Sequence, residues 1–226
     1  MSSKTAEKQS PGKLKKQNTG KPITGKANTG KASLNKAKIL AAASKLFLQG
    51  GSEALSVRAI ARQAGVSTIG IYSHFDGKQG ILDALYIEGF EMVSAVLDVP
   101  TESTPALRAP LPALLRAASN YLELAKTHEA HYRLIFGDRQ RDYQPSDEAR
   151  RVGADAFARL TETVGRALPA NTSKKKQQDA AIQVWSLLHG SASLRQHDVS
   201  LLVDMRSWQK RVLEAVEILL RGQFAA

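Results

Sequence analysis

Apolar and polar positions between residues 55 and 75 repeat at helical spacing in two short blocks. The first block carries its apolar residues on one face, at Ala59, Ile60 and Ala64. Gly65 interrupts the pattern, and Ser67 is a favoured N-cap for a second helix that we expect to reach Phe75. Two short helices joined by a tight turn form a helix-turn-helix, a unit that places its second helix in the major groove of DNA.

Helical periodicity continues through most of the remaining chain. It predicts helices over 78–97, 111–127, 128–136, 146–168, 177–197 and 203–224. Proline or glycine marks several of the breaks, and a polar loop is expected over 171–176. The last two helices carry apolar stripes, at Ile182, Trp185, Leu188 and Ala192 and at Val212, Ala215, Val216, Leu219 and Leu220. No stretch has strand periodicity, so the predicted fold class is all-α.

Composition narrows the class of protein. The chain has 226 residues, of which 42% are apolar, and this suffices for a core in one or two domains. No apolar run approaches the roughly 18 residues that span a bilayer, and the start lacks the apolar region of a signal peptide. Cysteine is absent, which excludes disulfides and cysteine-based zinc sites. We therefore expect a cytoplasmic protein without a membrane partner.

The net charge of +11 is concentrated at the N terminus. Residues 1–31 contain eight lysines and one glutamate, and Thr-Gly-Lys recurs at 19–21, 24–26 and 29–31. Because this segment has few apolar residues, we predict a disordered basic arm over 1–33. Evenly spaced lysines can follow DNA phosphates or lie in a minor groove. The alternative is a solubilising tail that makes no fixed contacts.

The run from Val57 to Phe75, continued by Lys78 and Leu82, resembles the DNA-binding domain of TetR-type transcriptional repressors. The matching residues are Gly-Val-Ser, then Ile-Tyr-x-His-Phe, then Lys-x-x-Ile-Leu. The resemblance implies a three-helix, homeodomain-like helix-turn-helix domain over 34–80. It also implies a helical effector-binding and dimerisation domain over 81–226, whose last two helices would pair with those of a second protomer. Their apolar stripes are equally compatible with a core inside one chain.

Residues at the start of the second helix are expected to read bases, since this end of the unit meets base edges. Thr68 offers a methyl to thymine, and Gly70 permits close approach to DNA at a cost of about 1 kcal/mol to the helix. Arg58 is either a phosphate or guanine contact or a solvated surface residue. The expected DNA contacts are Ser56, Arg58, Ser67, Thr68, Ile69, Gly70, Tyr72, Ser73, His74 and Lys78, with Lys21, Lys26 and Lys31 of the arm.

A second local motif lies in the C-terminal half. The segment Trp185-Ser-Leu-Leu-His189-Gly190 resembles the Trp-His-Gly segment of one TetR subgroup. Because Trp185 and His189 are four residues apart, they share a helix face. They are interpreted either as effector-pocket residues or as a core tryptophan and a buried histidine, with Gly190 permitting close helix packing. The expected pocket residues are Tyr121, Tyr132, Phe136, Trp185 and His189.

Catalytic signatures are missing from the sequence. There is no His-Glu-x-x-His zinc motif, no phosphate-binding loop and no Gly-x-Ser-x-Gly elbow. We therefore expect no enzyme, no metal and no cofactor. The predicted function is a homodimeric repressor that binds a palindromic DNA operator and is released by an unknown small-molecule effector. The alternatives are a sequence-nonspecific architectural DNA-binding protein and a dimeric regulator that needs no effector.

Overall fold

The computed structural model describes residues 25–98, 109–137, 143–197 and 207–222, with side chains from residue 32 onward. All regular elements within these ranges are helical, which confirms the all-α fold. They are α1 Gly25–Gly50, α2 Val57–Ala64, α3 Thr68–Tyr72, α4 Gly77–Leu97, α5 Pro110–Thr127, α6 Glu129–Phe136, α7 Asp147–Arg166, α8 Lys174–Gln196 and α9 Trp208–Gly222. A short 3₁₀ turn, Gly51–Ala54, follows α1. None of the helices described is both long and apolar enough to cross a membrane.

Serine caps fix where four of the helices begin. The hydroxyls of Ser56, Ser67, Ser146 and Ser173 each accept a hydrogen bond from a backbone N–H three residues ahead. These caps satisfy donors that have no partner inside the helix. Ser173 explains why α8 begins at Lys174, three residues before the predicted start, so the predicted loop over 171–176 is shorter than expected.

The first helix begins inside the segment that was predicted as the basic arm. α1 begins at Gly25, so residues 25–33, which were expected to belong to a disordered arm, are helical. Elongating an existing helix adds one hydrogen bond for each residue fixed, and this costs much less than nucleation. The apolar residues from Ile39 onward anchor the helix, which can then extend toward the N terminus. The expectation for residues 1–24 lies outside the described residues.

Two hydrophobic cores organise the fold. The N-terminal core joins α1 to α4 and includes Ile39, Phe47, Ile60, Ile71, Phe75, Ile81, Leu82 and Leu85. The C-terminal core joins α5, α7, α8 and α9 and includes Leu114, Val164, Val184, Leu188, Val212, Val216 and Leu220. Ile182, which was expected on the same apolar stripe as Leu188, is 49% exposed. It lies about 120° around α8 from Leu188, because successive helix residues advance by about 100°.

Helices α4 and α6 belong to both cores. The first half of α4 packs into the N-terminal core, while Val93 and Val96 pack against the C-terminal core. On α6, Ala130 and Leu134 lie in the N-terminal core. Tyr132 lies in the C-terminal core, two residues away on a different side of the same short helix. These two helices therefore connect the helix-turn-helix unit mechanically to the C-terminal half.

Candidate DNA interface and ligand cavity

The helix-turn-helix unit divides its side chains sharply between core and solvent. Ile71 is fully buried and Phe75 is nearly so, which holds α3 against α1 and α2. Ile69 is 79% exposed and Tyr72 is 62% exposed. Thr68 and Ser73 are exposed as well. A five-residue helix with one buried and one exposed face presents these residues as a group, as a DNA reader requires.

Three serines expected to contact DNA also hold the unit together. Ser56 caps α2, and the Ser67 hydroxyl accepts a hydrogen bond of 3.0 Å from the Gly70 N–H. Ser73 donates a hydrogen bond of 2.8 Å to the Gly70 carbonyl. A Cβ at position 70 would lie 3.3 Å from Ser67 Oγ. A side chain at position 70 would therefore be tightly packed against this cap, which is a local reason for glycine beside the close approach to DNA expected from the sequence.

Lys78 and Arg58 have different surroundings. The Lys78 ammonium donates a hydrogen bond of 2.7 Å to the carbonyl of Ser52, so it ties the start of α4 to the turn after α1. An ammonium has three donors, and two of them remain for a phosphate. Arg58 is exposed, and His74 is half-buried beside Phe75.

The lysines proposed for the arm fall in different parts of the chain. Lys21 lies outside the described residues, whereas Lys26 and Lys31 are part of helix α1. A further lysine, Lys36, was missed by sequence reasoning. Its ammonium lies over the Phe75 ring at 5.6 Å from the centroid, a cation–π geometry that places a positive charge beside the reader unit.

A cavity of about 100 Å³ lies in the C-terminal half. It is partly open, it is lined by α4, α5, α6, α7 and α8, and its walls are almost entirely apolar. The lining residues are Phe90, Val93, Leu97, Leu114, Ala117, Ala118, Tyr121, Phe136, Gly153, Ala156, Phe157, Leu160, Trp185 and Leu188. Three of the five expected pocket residues, Tyr121, Phe136 and Trp185, are among them. The contributions of α4 and α7 were missed, because apolar residues facing a cavity have the same spacing as residues facing a core.

Tyr132 and His189 lie outside this cavity. The Tyr132 hydroxyl lies 2.7 Å from His189 Nδ1 and 3.2 Å from the His189 carbonyl oxygen. Both residues border a wider polar depression of about 510 Å³, together with Arg133, Gln196 and His197. Phe136 borders the cavity and the depression, with its ring 5.7 Å from that of Trp185 and 5.0 Å from that of His189. Phe136 therefore separates the apolar cavity from the polar depression, whereas the sequence analysis placed all five residues in one pocket.

Burial changes the ionisation of these groups. It raises the pKa of Tyr132 to about 12 and lowers the pKa of His189 below its ordinary value of 6.5. Both groups are neutral at pH 7, because burial disfavours the charged form. Their hydrogen bond consequently joins two neutral side chains.

Tyr121 is the polar residue of the apolar cavity. Its side chain is 6% exposed, and its hydroxyl has no hydrogen bond in the structure. Burial, followed by the neighbouring Tyr132, raises the pKa of Tyr121 far above its ordinary value. The indole N–H of Trp185 and the hydroxyl of Tyr132 both lie near enough to influence that pKa, but neither meets hydrogen-bond geometry with the Tyr121 hydroxyl. The described part of the chain contains no cluster of acidic residues and histidines suited to a metal ion.

Comparison with known families agrees with this geometry. A family model described as bacterial regulatory proteins, tetR family, matches residues 39–85. A second model, described as tetracyclin repressor-like, C-terminal domain, matches residues 114–216, and together the two cover about two thirds of the chain. The chain belongs to the TetR family. This TetR-family regulator carries the reader unit in the first matched region and most of the cavity in the second. It is accordingly not an enzyme.

Solved structures share the fold of this TetR-family chain. A protein of unknown function from Rhodococcus sp. RHA1 is 23% identical with a TM-score of 0.67, over 83% of this chain and 94% of that one. The fatty acid degradation regulator FadR from Bacillus halodurans is 16% identical with a TM-score of 0.63, over 83% and 95%. The TetR-family regulator PfmR from Thermus thermophilus is 21% identical with a TM-score of 0.59, over 81% and 97%. A comparison with curated proteins gave no match.

Proposed function

We propose that this TetR-family regulator is a cytoplasmic homodimeric repressor that binds a palindromic operator and is released by a small molecule. The exposed face of α3 carries the proposal. Among the large apolar side chains described, Ile69 is the most exposed, and Tyr72 lies one turn further along the same short helix. An apolar side chain in contact with water does not stabilise the folded chain. Contact with a thymine methyl would remove it from water and so stabilise the complex with DNA.

Dimerisation is supported by the outer faces of α8 and α9. Ile182, Leu194 and Ile218 are exposed at 49%, 48% and 71%. Gly190 lies within α8 at a position where a Cβ would meet nothing within 4 Å among the described residues. The sequence interpretation of Gly190 as a residue for close helix packing therefore needs a helix from another protomer. A twofold dimer would place two readers on half-sites about one helical turn of DNA apart.

The route from ligand to DNA follows α4 and α6. Phe90 and Val93 of α4 form one wall of the cavity, and Leu85, less than two turns before Phe90, lies in the N-terminal core. Phe136 at the end of α6 forms another wall, while Leu134 of the same helix packs into the N-terminal core. A ligand that shifts either wall also moves the reader. The ligand then favours a dimer whose two helix-turn-helix units do not fit the operator. Ligand binding weakens operator binding, and operator binding weakens ligand binding by the same factor.

The basic arm is part of the proposal. We propose that the lysines preceding α1, with Lys26 and Lys31 on its first turns, contact phosphates outside the half-sites. Each neutralised phosphate releases counterions, so this contribution weakens steeply with salt. Sequence discrimination would remain with α3, because phosphate contacts carry no base information.

Selection of bound duplexes from random DNA at about 0.15 M salt tests the proposal. We expect a palindromic motif, bound about a thousandfold or more tightly than unrelated duplex. Binding without a motif would instead support an architectural protein in which the basic arm dominates. A palindrome whose affinity responds to no ligand would support a dimeric regulator without an effector.

A further inference from the structure

We infer that the C-terminal cavity accepts a neutral molecule of about the size of one aromatic ring, carrying a single hydroxyl or carbonyl group that hydrogen-bonds to Tyr121. The inference rests on the proposed function, since it names the ligand class of the proposed effector site. Size is the first argument. An apolar cavity of about 150 Å³ holds benzene and stays free of water, so the inner space of about 100 Å³ has room for about one ring.

Aromatic walls favour an aromatic ligand. The ring centroids of Phe136 and Trp185, and those of Phe157 and Trp185, are both 5.7 Å apart in inclined or edge geometries. Phe90 lies 5.7 Å from Phe136 in an edge geometry as well. Ring edges are electropositive and ring faces electronegative, so these inclined rings offer complementary surfaces to a further ring.

The buried hydroxyl of Tyr121 favours a ligand that carries one polar group. Tyr121 is one of the lining residues, and its buried hydroxyl lies near that of Tyr132 but meets hydrogen-bond geometry with no described group. A buried polar group without a partner is destabilising, and an apolar ligand would leave it in that condition. A ligand hydroxyl or carbonyl would give it a partner. Apart from the indole N–H of Trp185, the other lining side chains are hydrocarbon, so a second polar group placed against them would itself be unsatisfied.

Charge is excluded by the same surroundings. None of the described residues lining the cavity is charged. Burial also keeps the Tyr121 hydroxyl protonated, because its pKa is raised far above the ordinary value. A carboxylate or an ammonium group would enter without a counter-charge, and the cost of its desolvation would exceed the benefit of one neutral hydrogen bond.

Trp185 provides the signal for a direct test. The protein contains two tryptophans, and Trp208 is not among the lining residues. In intact protein carrying Trp208→Phe, fluorescence therefore reports on the cavity. Three probes of similar size are titrated: phenol, toluene and benzoate. Phenol and toluene differ by a hydroxyl in place of a methyl, while benzoate adds a negative charge.

We expect phenol and toluene to perturb Trp185 fluorescence with saturation, and benzoate to bind at least about tenfold more weakly than phenol. Replacement of Tyr121 by Phe should lower the ratio of phenol affinity to toluene affinity by about tenfold. Tyr143→Phe removes a hydroxyl outside the cavity and should leave that ratio unchanged. Ala156→Leu should fill the cavity and abolish binding of all probes, with Ala117→Leu as a second filling variant.

The inference is overturned if Tyr121→Phe leaves the phenol-to-toluene ratio within about twofold, if benzoate binds as tightly as phenol, or if no probe saturates. These titrations contain no DNA, so such a failure leaves operator recognition unaffected. Phenol binding that depends on Tyr121 but does not change operator affinity would support the ligand class. The same result would overturn release by an effector in the proposed function.

Discussion

Gly89 of α4 lies against Ile135 of α6 so closely that a Cβ at position 89 would stand 2.6 Å from Ile135 Cδ1. The same Cβ would be 3.3 Å from His131 Cβ, and His131 Nε2 lies 3.1 Å from a carboxylate oxygen of Glu88. Glycine thus sets the spacing between the two helices that link reader and cavity. A change of one methyl group at this point tests how rigid that link is.

We expect Gly89→Ala to lower the free energy of unfolding by up to about 2 kcal/mol. Overpacking costs about 1 to 3 kcal/mol, and the higher helix propensity of alanine offsets about 1 kcal/mol of it. Urea unfolding measures the change. Gly222→Ala serves as the control, because a Cβ there meets nothing within 4 Å. Equal stability of the two variants would mean that α4 and α6 separate freely.

Ile69 is expected to recognise a thymine methyl. Replacing thymine by uracil at one position in each selected half-site should weaken binding about fourfold per half-site, the equivalent of about 0.8 kcal/mol for one buried methyl. The Ile69→Ala variant should bind the thymine and uracil duplexes equally at that position. Fluorescence anisotropy at fixed salt measures both affinities. Uniform tolerance of uracil by the unaltered protein would remove Ile69 from base recognition.

Ile218→Asp should dissociate the proposed dimer. Ile218 is 71% exposed, so the substitution should change the stability of the isolated chain by no more than about 0.5 kcal/mol. A charge at a buried interface should nevertheless weaken dimerisation by at least about tenfold, as measured by sedimentation equilibrium. Leu48→Asp, at an apolar α1 position with 41% exposure, should leave dimerisation intact. Equal effects of the two variants would place the interface elsewhere.

Deleting residues 1–24 should weaken operator binding and flatten its dependence on salt, while the order of preferred sequences is kept. This deletion leaves α1 intact, since that helix begins at Gly25. The slope of log affinity against log salt should fall by about 0.9 for each lost phosphate contact. Glutamine in place of the lysines in this segment keeps its length and should have the same effect. An unchanged slope in both proteins would refute the proposed contacts of the arm.

His189 should make stability depend on pH. Burial lowers its pKa in the folded state below 6.5, so the unfolded chain takes up a proton first as the pH falls. The free energy of unfolding should therefore be highest above about pH 6.5 and should decrease as the pH falls from there through the folded-state pKa. His189→Gln should lack this part of the decrease when unfolding is measured from pH 7.5 to 5. Titration of the His189 imidazole by nuclear magnetic resonance measures its folded-state pKa independently.

Local sequence patterns predicted the reader unit well. Ser67 as the cap of α3 and Gly65 as the end of α2 are both confirmed, because capping depends on neighbours within three residues. The cavity was only partly predicted. Trp185 and His189 do share a helix face, with ring centroids 6.3 Å apart, but Phe136 from another helix separates their surroundings. Such a separation depends on how distant segments pack, which spacing within one helix does not encode.

The continuity of α4 limits how freely the two halves of the protein can be exchanged between relatives. Its 21 residues span about 30 Å and include both reader-core and cavity-wall side chains. A chimera joined inside Gly77–Leu97 would take the first part of α4 from one relative and the rest from another. The side chains of the two parts would then be adapted to different partner helices. For the same reason, substitutions at Phe90 or Val93 that adapt the cavity to a new ligand would also alter the resting position of the reader. Ligand specificity and DNA affinity would then have to evolve together.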